Sequence, residues 1–274
     1  YLSQVGDFYT ITQDSDINAL FASGGSISFW VCPFSTGEGT FGRLIDTTNA
    51  GYGFLVISES GGSCKLYFSH FFDGADPVWQ TTNRVLTIGQ WSHIVLTYNS
   101  SDAANDPVIY VNGSSKAITE STTPTGTTEA DNGNKLIGNN GVDRAFDGYI
   151  SECGMWKTVL DADAVTAIYN SGVQGFDLLS DSGNYDVSSS LKGWWKFNNA
   201  FTVQDLTSFN NDAVASGSPV LSVMPEGTTA GTTLFGIVED KLADHGVINL
   251  NGHEYVSIPH DVNLNPDLSE GFTC

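Results

Sequence analysis

Short apolar runs separated by turn residues dominate the chain. "SISFWVCPF" (Ser26–Phe34), "YGFLVIS" (Tyr52–Ser58), "CKLYFSHF" (Cys64–Phe71), "SHIVLTYN" (Ser92–Asn99), "PVIYVNG" (Pro107–Gly113), "KLIGN" (Lys135–Asn139) and "GYISECGMW" (Gly148–Trp156) are rich in β-branched and aromatic residues. Gly, Asn, Asp and Ser cluster between them. Such spacing predicts an all-β sandwich or barrel. In "HIVLTY" the residues Ile94, Leu96 and Tyr98 alternate with Val95 and Thr97. Both faces of that strand are therefore largely apolar, as in a strand covered on both sides.

One stretch changes period. In "DADAVTAIYNSG" Val165, Ile168 and Tyr169 stand at i, i+3 and i+4, which predicts a short helix with one apolar stripe. Asp161 is placed to cap its N-terminus, and Asp163 suits the first turn. Gly172 is placed to stop it.

The polar run "GFDLLSDSGNYDVSSS" (Gly175–Ser190) then reads as a linker. Beyond it "LKGWWKFNN" (Leu191–Asn199) opens another aromatic strand. Near the end, "EYVSIPHDVNLNP" (Glu254–Pro266) matches "DFYTITQDSDINA" (Asp7–Ala19) without a gap. Tyr255 falls on Phe8, Ile258 on Ile11, Asp261 on Asp14, Leu264 on Ile17 and Asn265 on Asn18. One spacing recurs about 247 residues later, which points to tandem domains and not to a solenoid.

Composition narrows the function classes. The chain has 274 residues, with 10 basic against 31 acidic and a formal charge of −21. That excludes a basic nucleic-acid surface and an anionic-membrane surface. It fits a solvated, self-repelling surface or one that holds cations. No apolar run approaches the ~20 residues of a membrane span. The four cysteines form no CxxC pair, which sets aside zinc and thioredoxin-type sites.

Four of these segments, in order, resemble the laminin-G-like, pentraxin-related domains of the concanavalin A-like jelly-roll superfamily. "SISFWVCP" is similar to an early strand of that family, and "TIGQWSHIVLTYN" to its "gqWhHvavTyd" signature. "VIYVNGSSK" is similar to its "lYvNGk" hairpin. "LIGNNGVDRAFDGYISECGMWKTVLDADAVTAIYNSG" resembles its closing run and final helix. The match covers residues 8–173. It departs from the family at Ser151, where an Asp is frequent. "LKGWWKFNNAFTVQDLTSFNNDAV" resembles the family's opening, and "GVINLNGHEYVSIP" the piece that follows it.

The expected fold class is thus an all-β antiparallel jelly-roll sandwich with one short C-terminal helix and the start of a second similar domain. Residues 1–174 form the first domain, its opening strands absent or supplied elsewhere. Residues 175–190 form the linker. Residues 191–274 either open a second domain or complete a neighbouring sandwich.

The chemistry follows from that resemblance and from residue type. The fold's β-glucanases carry two close carboxylates in an E-x-D-x-x-E strand. "EADNGN" at Glu129 has only the first two acids and is not strand-like. "HEYVSIPH" lacks the second His at i+4, since Ser257 stands there. The resemblance implies calcium at the sandwich rim, with Asp46, Asp143, Asp147 and Asp205 as candidate ligands. Their alternative role is as turn formers that bond their own backbone. "SHFFDGADPVW" offers Phe71, Phe72 and Trp79 as candidate sugar platforms, although adjacent Phe71 and Phe72 would point to opposite faces of a strand.

The leading expectation is a non-enzymatic structural or adhesion module on a virion surface, as in marine bacteriophage structural proteins, placed extracellularly or on the virion. Its partners would be other virion or cell-surface proteins, glycans, and a second copy or tandem domain. The alternative is a secreted or cell-surface carbohydrate-binding module. A glycoside hydrolase is disfavoured by the missing acid pair.

Overall fold

A computed structural model describes residues 2, 6–49, 51–220 and 230–231. These lie in the first of two compact units, residues 1–234. The second unit, residues 235–274, and with it the repeat at Glu254–Pro266, falls outside the described residues.

In chain order the strands are β1 (Phe8–Ile11), β2 (Gly25–Pro33), β3 (Phe41–Thr47), β4 (Tyr52–Ser60), β5 (Ser63–His70), β6 (Val78–Thr81), β7 (Leu86–Thr87) and β8 (Ser92–Tyr98). There follow β9 (Val108–Val111), β10 (Ser114–Lys116), β11 (Ile118–Thr122), β12 (Lys135–Ile137) and β13 (Gly148–Trp156). After the helix α1 (Ala162–Tyr169) come β14 (Leu191–Trp195), β15 (Thr202–Val203) and β16 (Ala213–Ser216).

They form two antiparallel sheets. The larger has ten strands in the order β11-β6-β5-β4-β3-β12-β1-β16-β15, with β7 beside β5. The smaller runs β10-β9-β8-β2-β13-β14. This is the all-β sandwich that the strand pattern predicts, in the jelly-roll form that the family resemblance implies. The core between the sheets holds Phe29, Leu96 and Tyr98 from the smaller sheet and Phe54, Phe68 and Trp79 from the larger. Aromatic rings interlock there: Phe68 and Trp79 stack at 5.7 Å, and Phe68 meets Tyr98 edge-on at 5.6 Å. Each such fully buried side chain contributes roughly 1.5–3 kcal/mol from area alone. Among the described residues Cys32, Cys64 and Cys153 are buried free thiols.

Helix α1 starts as expected. The Asp161 carboxylate accepts from the Ala164 backbone N–H at 2.7 Å. Its left-handed stop, however, comes at Asn170 (φ 50°), followed by Ser171 (φ 55°) and Gly172 (φ 90°). Ala164, Val165 and Ile168 are buried against the outer face of the smaller sheet, in a cluster with Val95, Tyr110 and Trp156.

That cluster also contains Leu178, Tyr185, Leu191 and Trp194. Residues 175–190 therefore lie against the sandwich rather than bridging open solvent. Residues 191–216 add strands to both sheets. β14 pairs with β13 (Cys153 opposite Trp195, Gly154 opposite Trp194), and β16 pairs with β1 (Tyr9 opposite Ala215, Ile11 opposite Ala213). Side chains reinforce the join. Tyr9 donates its hydroxyl to the Asn199 carbonyl at 3.0 Å, and Trp195 Nε1 donates to the Asn211 carbonyl at 2.8 Å.

Candidate functional site

The two outer faces of the sandwich differ. Helix α1 and residues 176–187 pack on the smaller sheet. What remains on that side is a cavity of about 10 Å³ lined by Trp30, His93, Glu152 and Phe176, room for a single water molecule. No helix packs on the larger sheet among the described residues.

Strand alternation selects what that larger sheet presents. On β4, Tyr52, Phe54 and Val56 enter the core, so Gly53, Leu55 and Ile57 lie on the opposite face, where they too are buried. On β5 the buried set is Cys64, Leu66, Phe68 and His70, which turns Lys65, Tyr67 and Ser69 outward. On β3 a bulge between Arg43 and Ile45 sends both Leu44 and Ile45 inward and leaves Arg43 and Asp46 on the outer face. Register then aligns a row: Thr119 opposite Gln80, Gln80 opposite Tyr67, Tyr67 opposite Leu55, and Leu55 opposite Arg43.

At the centre of this face Arg43 Nε lies 2.6 Å from Asp46 Oδ2. Asp46 Oδ1 accepts from the Thr47 backbone N–H at 2.8 Å. Buried Gly53 lies beside the pair. A Cβ there would stand 3.6 Å from Leu55 Cδ2 and 3.8 Å from both Arg43 Nη1 and Asp46 Oδ2. Burial pushes the Asp46 carboxyl above its usual range, and the Arg43 guanidinium partly offsets that. Burial likewise raises the Tyr67 phenol, with Arg43 opposing. The face thus offers a planar donor fork, a carboxylate acceptor, a half-buried phenol ring, a primary amide and hydroxyls. Such a mixture holds polyhydroxylated ligands by many directed hydrogen bonds.

The candidate residues read from sequence fall elsewhere, apart from Asp46. Trp79 is fully buried in the core, and its Nε1 donates to Asp106 Oδ1 at 2.8 Å. Phe72 is buried as well, and only Phe71 presents its ring to solvent, at 41% exposure. The motif "SHFFDGADPVW" therefore supplies core aromatics and one surface ring, because β5 and β6 turn Phe68 and Trp79 inward.

The four aspartates do not meet. Asp46 is held by Arg43. Asp143 lies 3.2 Å from Arg144 Nη1, and Asp147 Oδ2 accepts from Ser35 Oγ at 2.7 Å. Asp205, 2% exposed, accepts from the backbone N–H groups of Trp194 (3.1 Å), Thr207 (2.9 Å) and Asn211 (3.0 Å). No three Cys, His, Asp or Glu side chains converge on one point among the described residues. Ser151, where the family frequently has Asp, donates its hydroxyl to the Lys196 carbonyl at 3.2 Å.

Arg43, Tyr67 and Gln80 were not singled out from sequence. The alternation in "CKLYFSHF" marks Lys65, Tyr67 and Ser69 as one face. Apolar Leu66 and Phe68 mark the other side as the core, but the run does not say which residues of other strands join Tyr67 on the outer face.

A laminin-G family model, described as the concanavalin A-like lectin/glucanases superfamily, matches residues 6–166. The chain belongs to this family. Among solved structures it is similar to a putative carbohydrate binding protein from Bacteroides ovatus. That match has a TM-score of 0.51 and 17% identity, over 79% of this chain and 58% of the other. It is also similar to a native heptameric SAP-like pentraxin from Limulus polyphemus, with a TM-score of 0.44 and 14% identity over 63% and 84%. A third is the Ruminococcus gnavus IT-sialidase CBM40 bound to α2,3-sialyllactose, with a TM-score of 0.41 and 14% identity over 60% and 96%. At such identities the likeness is one of fold. No curated protein matches the chain. No helix among the described residues is long and apolar enough to cross a membrane.

Proposed function

We propose that this laminin-G-family chain is a non-catalytic carbohydrate-binding module that works outside the cell. The observation that carries this reading is the cross-strand neighbourhood of Arg43, Asp46, Tyr67 and Gln80 on the outer face of the larger sheet. The fold family and the carbohydrate-binding protein among its structural relatives support it. Asp46, the acid at the centre of the face, is tied to Arg43, which speaks for a binding role over general acid–base work. The virion-surface reading rests on a resemblance of the domain, the segment "SDSGNYDVSSSLKGWWKF" and the acidic, Lys-poor surface to marine bacteriophage structural proteins, and is placed second to this one.

A glycan microarray tests the proposal. The chain should bind a defined set of glycans, and Tyr67→Ala should weaken that binding by about tenfold or more, roughly 1.4 kcal/mol. Tyr67 is half-buried on the surface of β5, so the variant should keep its melting temperature within a few degrees. No retention of any glycan, or retention indifferent to Tyr67, would sink the reading.

A further inference from the structure

We propose that the face takes an uncharged glycan, and that the Arg43–Asp46 pair reads two neighbouring hydroxyls on it. The inference rests on the carbohydrate-binding reading above and adds the ligand's charge class and the residues that select it.

Three observations lead there. First, the guanidinium and carboxylate are already neutralised by each other at 2.6 Å. Together they present N–H donors beside a carboxylate with lone pairs to spare, the complement of two adjacent hydroxyls that each donate and accept. Second, the Arg43 and Asp46 side chains keep 23% and 15% of their surface exposed, so a ligand can reach both groups. Third, an anionic sugar would approach Asp46 directly and would meet a chain of formal charge −21. Like charges so arranged slow encounter and weaken binding at low salt. Lys65 lies on the same face, opposite Ile57, and is the cation that an anionic ligand would have to use.

The test uses the full chain and two groups of polysaccharides. Glucan, mannan, galactan and xylan are uncharged; alginate, pectate and carrageenan are anionic. Binding is measured by microarray and then by calorimetry at about 50 and 500 mM NaCl, where screening lengths differ roughly threefold. The expected result is binding to an uncharged polysaccharide that changes less than about twofold with salt. Arg43→Lys keeps the charge but loses the planar fork, and should weaken binding by about tenfold or more. Gly53→Val places its Cβ within 3.8 Å of both Arg43 Nη1 and Asp46 Oδ2 and should do the same.

Binding confined to the anionic group, weakened by salt and lost in Lys65→Gln, would overturn the inference and leave the carbohydrate reading intact. So would binding to an uncharged glycan that neither Arg43→Lys nor Gly53→Val disturbs. Failure to bind either group would remove the carbohydrate reading itself.

Discussion

Trp156 Nε1 donates to the hydroxyl of Tyr185 across 2.9 Å, and that hydroxyl donates in turn to the Leu178 carbonyl at 2.8 Å. The chain of bonds is buried and ties the final long strand of the smaller sheet to the segment between α1 and β14. Tyr185→Phe should therefore cost about 1–3 kcal/mol, because it leaves the indole N–H and a carbonyl unpaired in the interior. Urea unfolding would measure it. A loss below about 0.5 kcal/mol, the usual scale of an exposed site, would show that the segment is not anchored there.

Trp79 and Phe71 separate a core role from a surface role. Trp79→Ala should destabilise by about 3–5 kcal/mol, since it opens a cavity against Phe68 and Tyr98. Phe71→Ala, at an exposed position, should stay within about 0.5 kcal/mol of the parent. Thermal or denaturant unfolding of the two variants checks the contrast, and similar losses in both would contradict the placement of Trp79.

Asp205 holds a turn together. Its carboxylate gathers backbone N–H groups from Trp194, Thr207 and Asn211. Asp205→Ala should lower stability by about 2–3 kcal/mol, because hydrogen bonds to a charged group are the stronger kind. EDTA should leave the melting temperature of the parent unchanged. A downward shift of several degrees on chelation would instead assign the carboxylate to a metal.

Acid should weaken the fold through its histidines. Burial lowers His93 to about 3 and His70 to about 4, with Asp76 partly offsetting the second. In the unfolded chain each takes its proton near pH 6.5. Above that pH the histidines' contribution is fully present. As pH falls through the window between about 6.5 and the folded values, the unfolded state binds protons first and stability drops. Asp46, Asp131 and Glu152, all raised by burial, act in the opposite sense. A difference measurement isolates the histidine. His93→Phe keeps a ring between Trp30 and Tyr169 and should lose less stability than the parent from pH 7 to 4.5. Equal pH slopes would contradict it.

Much of the architecture was legible in the sequence. The runs around Phe29, Phe54, Phe68 and Leu96 announced their strands by composition and turn spacing. The helix after Asp161 announced itself by a change of period and a capping residue. These are local signals, set by backbone sterics and by side chains within a few residues. The candidate site was much less legible. Asp46 stood out as an acid beside a turn, yet its partner is Arg43, brought to the same face by a bulge that no local pattern marks. Tyr67 looked no different from Phe68, its neighbour in the same alternating run.

The amino-acid sequence by itself determined the strands, the helix, the acidic surface and the family. Only the tertiary structure decided which side of a strand such as Ser92–Tyr98 is the core, because both of its faces are largely apolar and alternation then gives no direction. It decided that Trp79 fills the interior while Tyr67 meets solvent. It also decided where residues 191–216 belong, since strands such as Leu191–Trp195 carry the same pattern whatever sheet they join. Their partners are chosen by edge hydrogen bonds and by burial against β13 and β1, the second of which lies more than two hundred residues away along the chain.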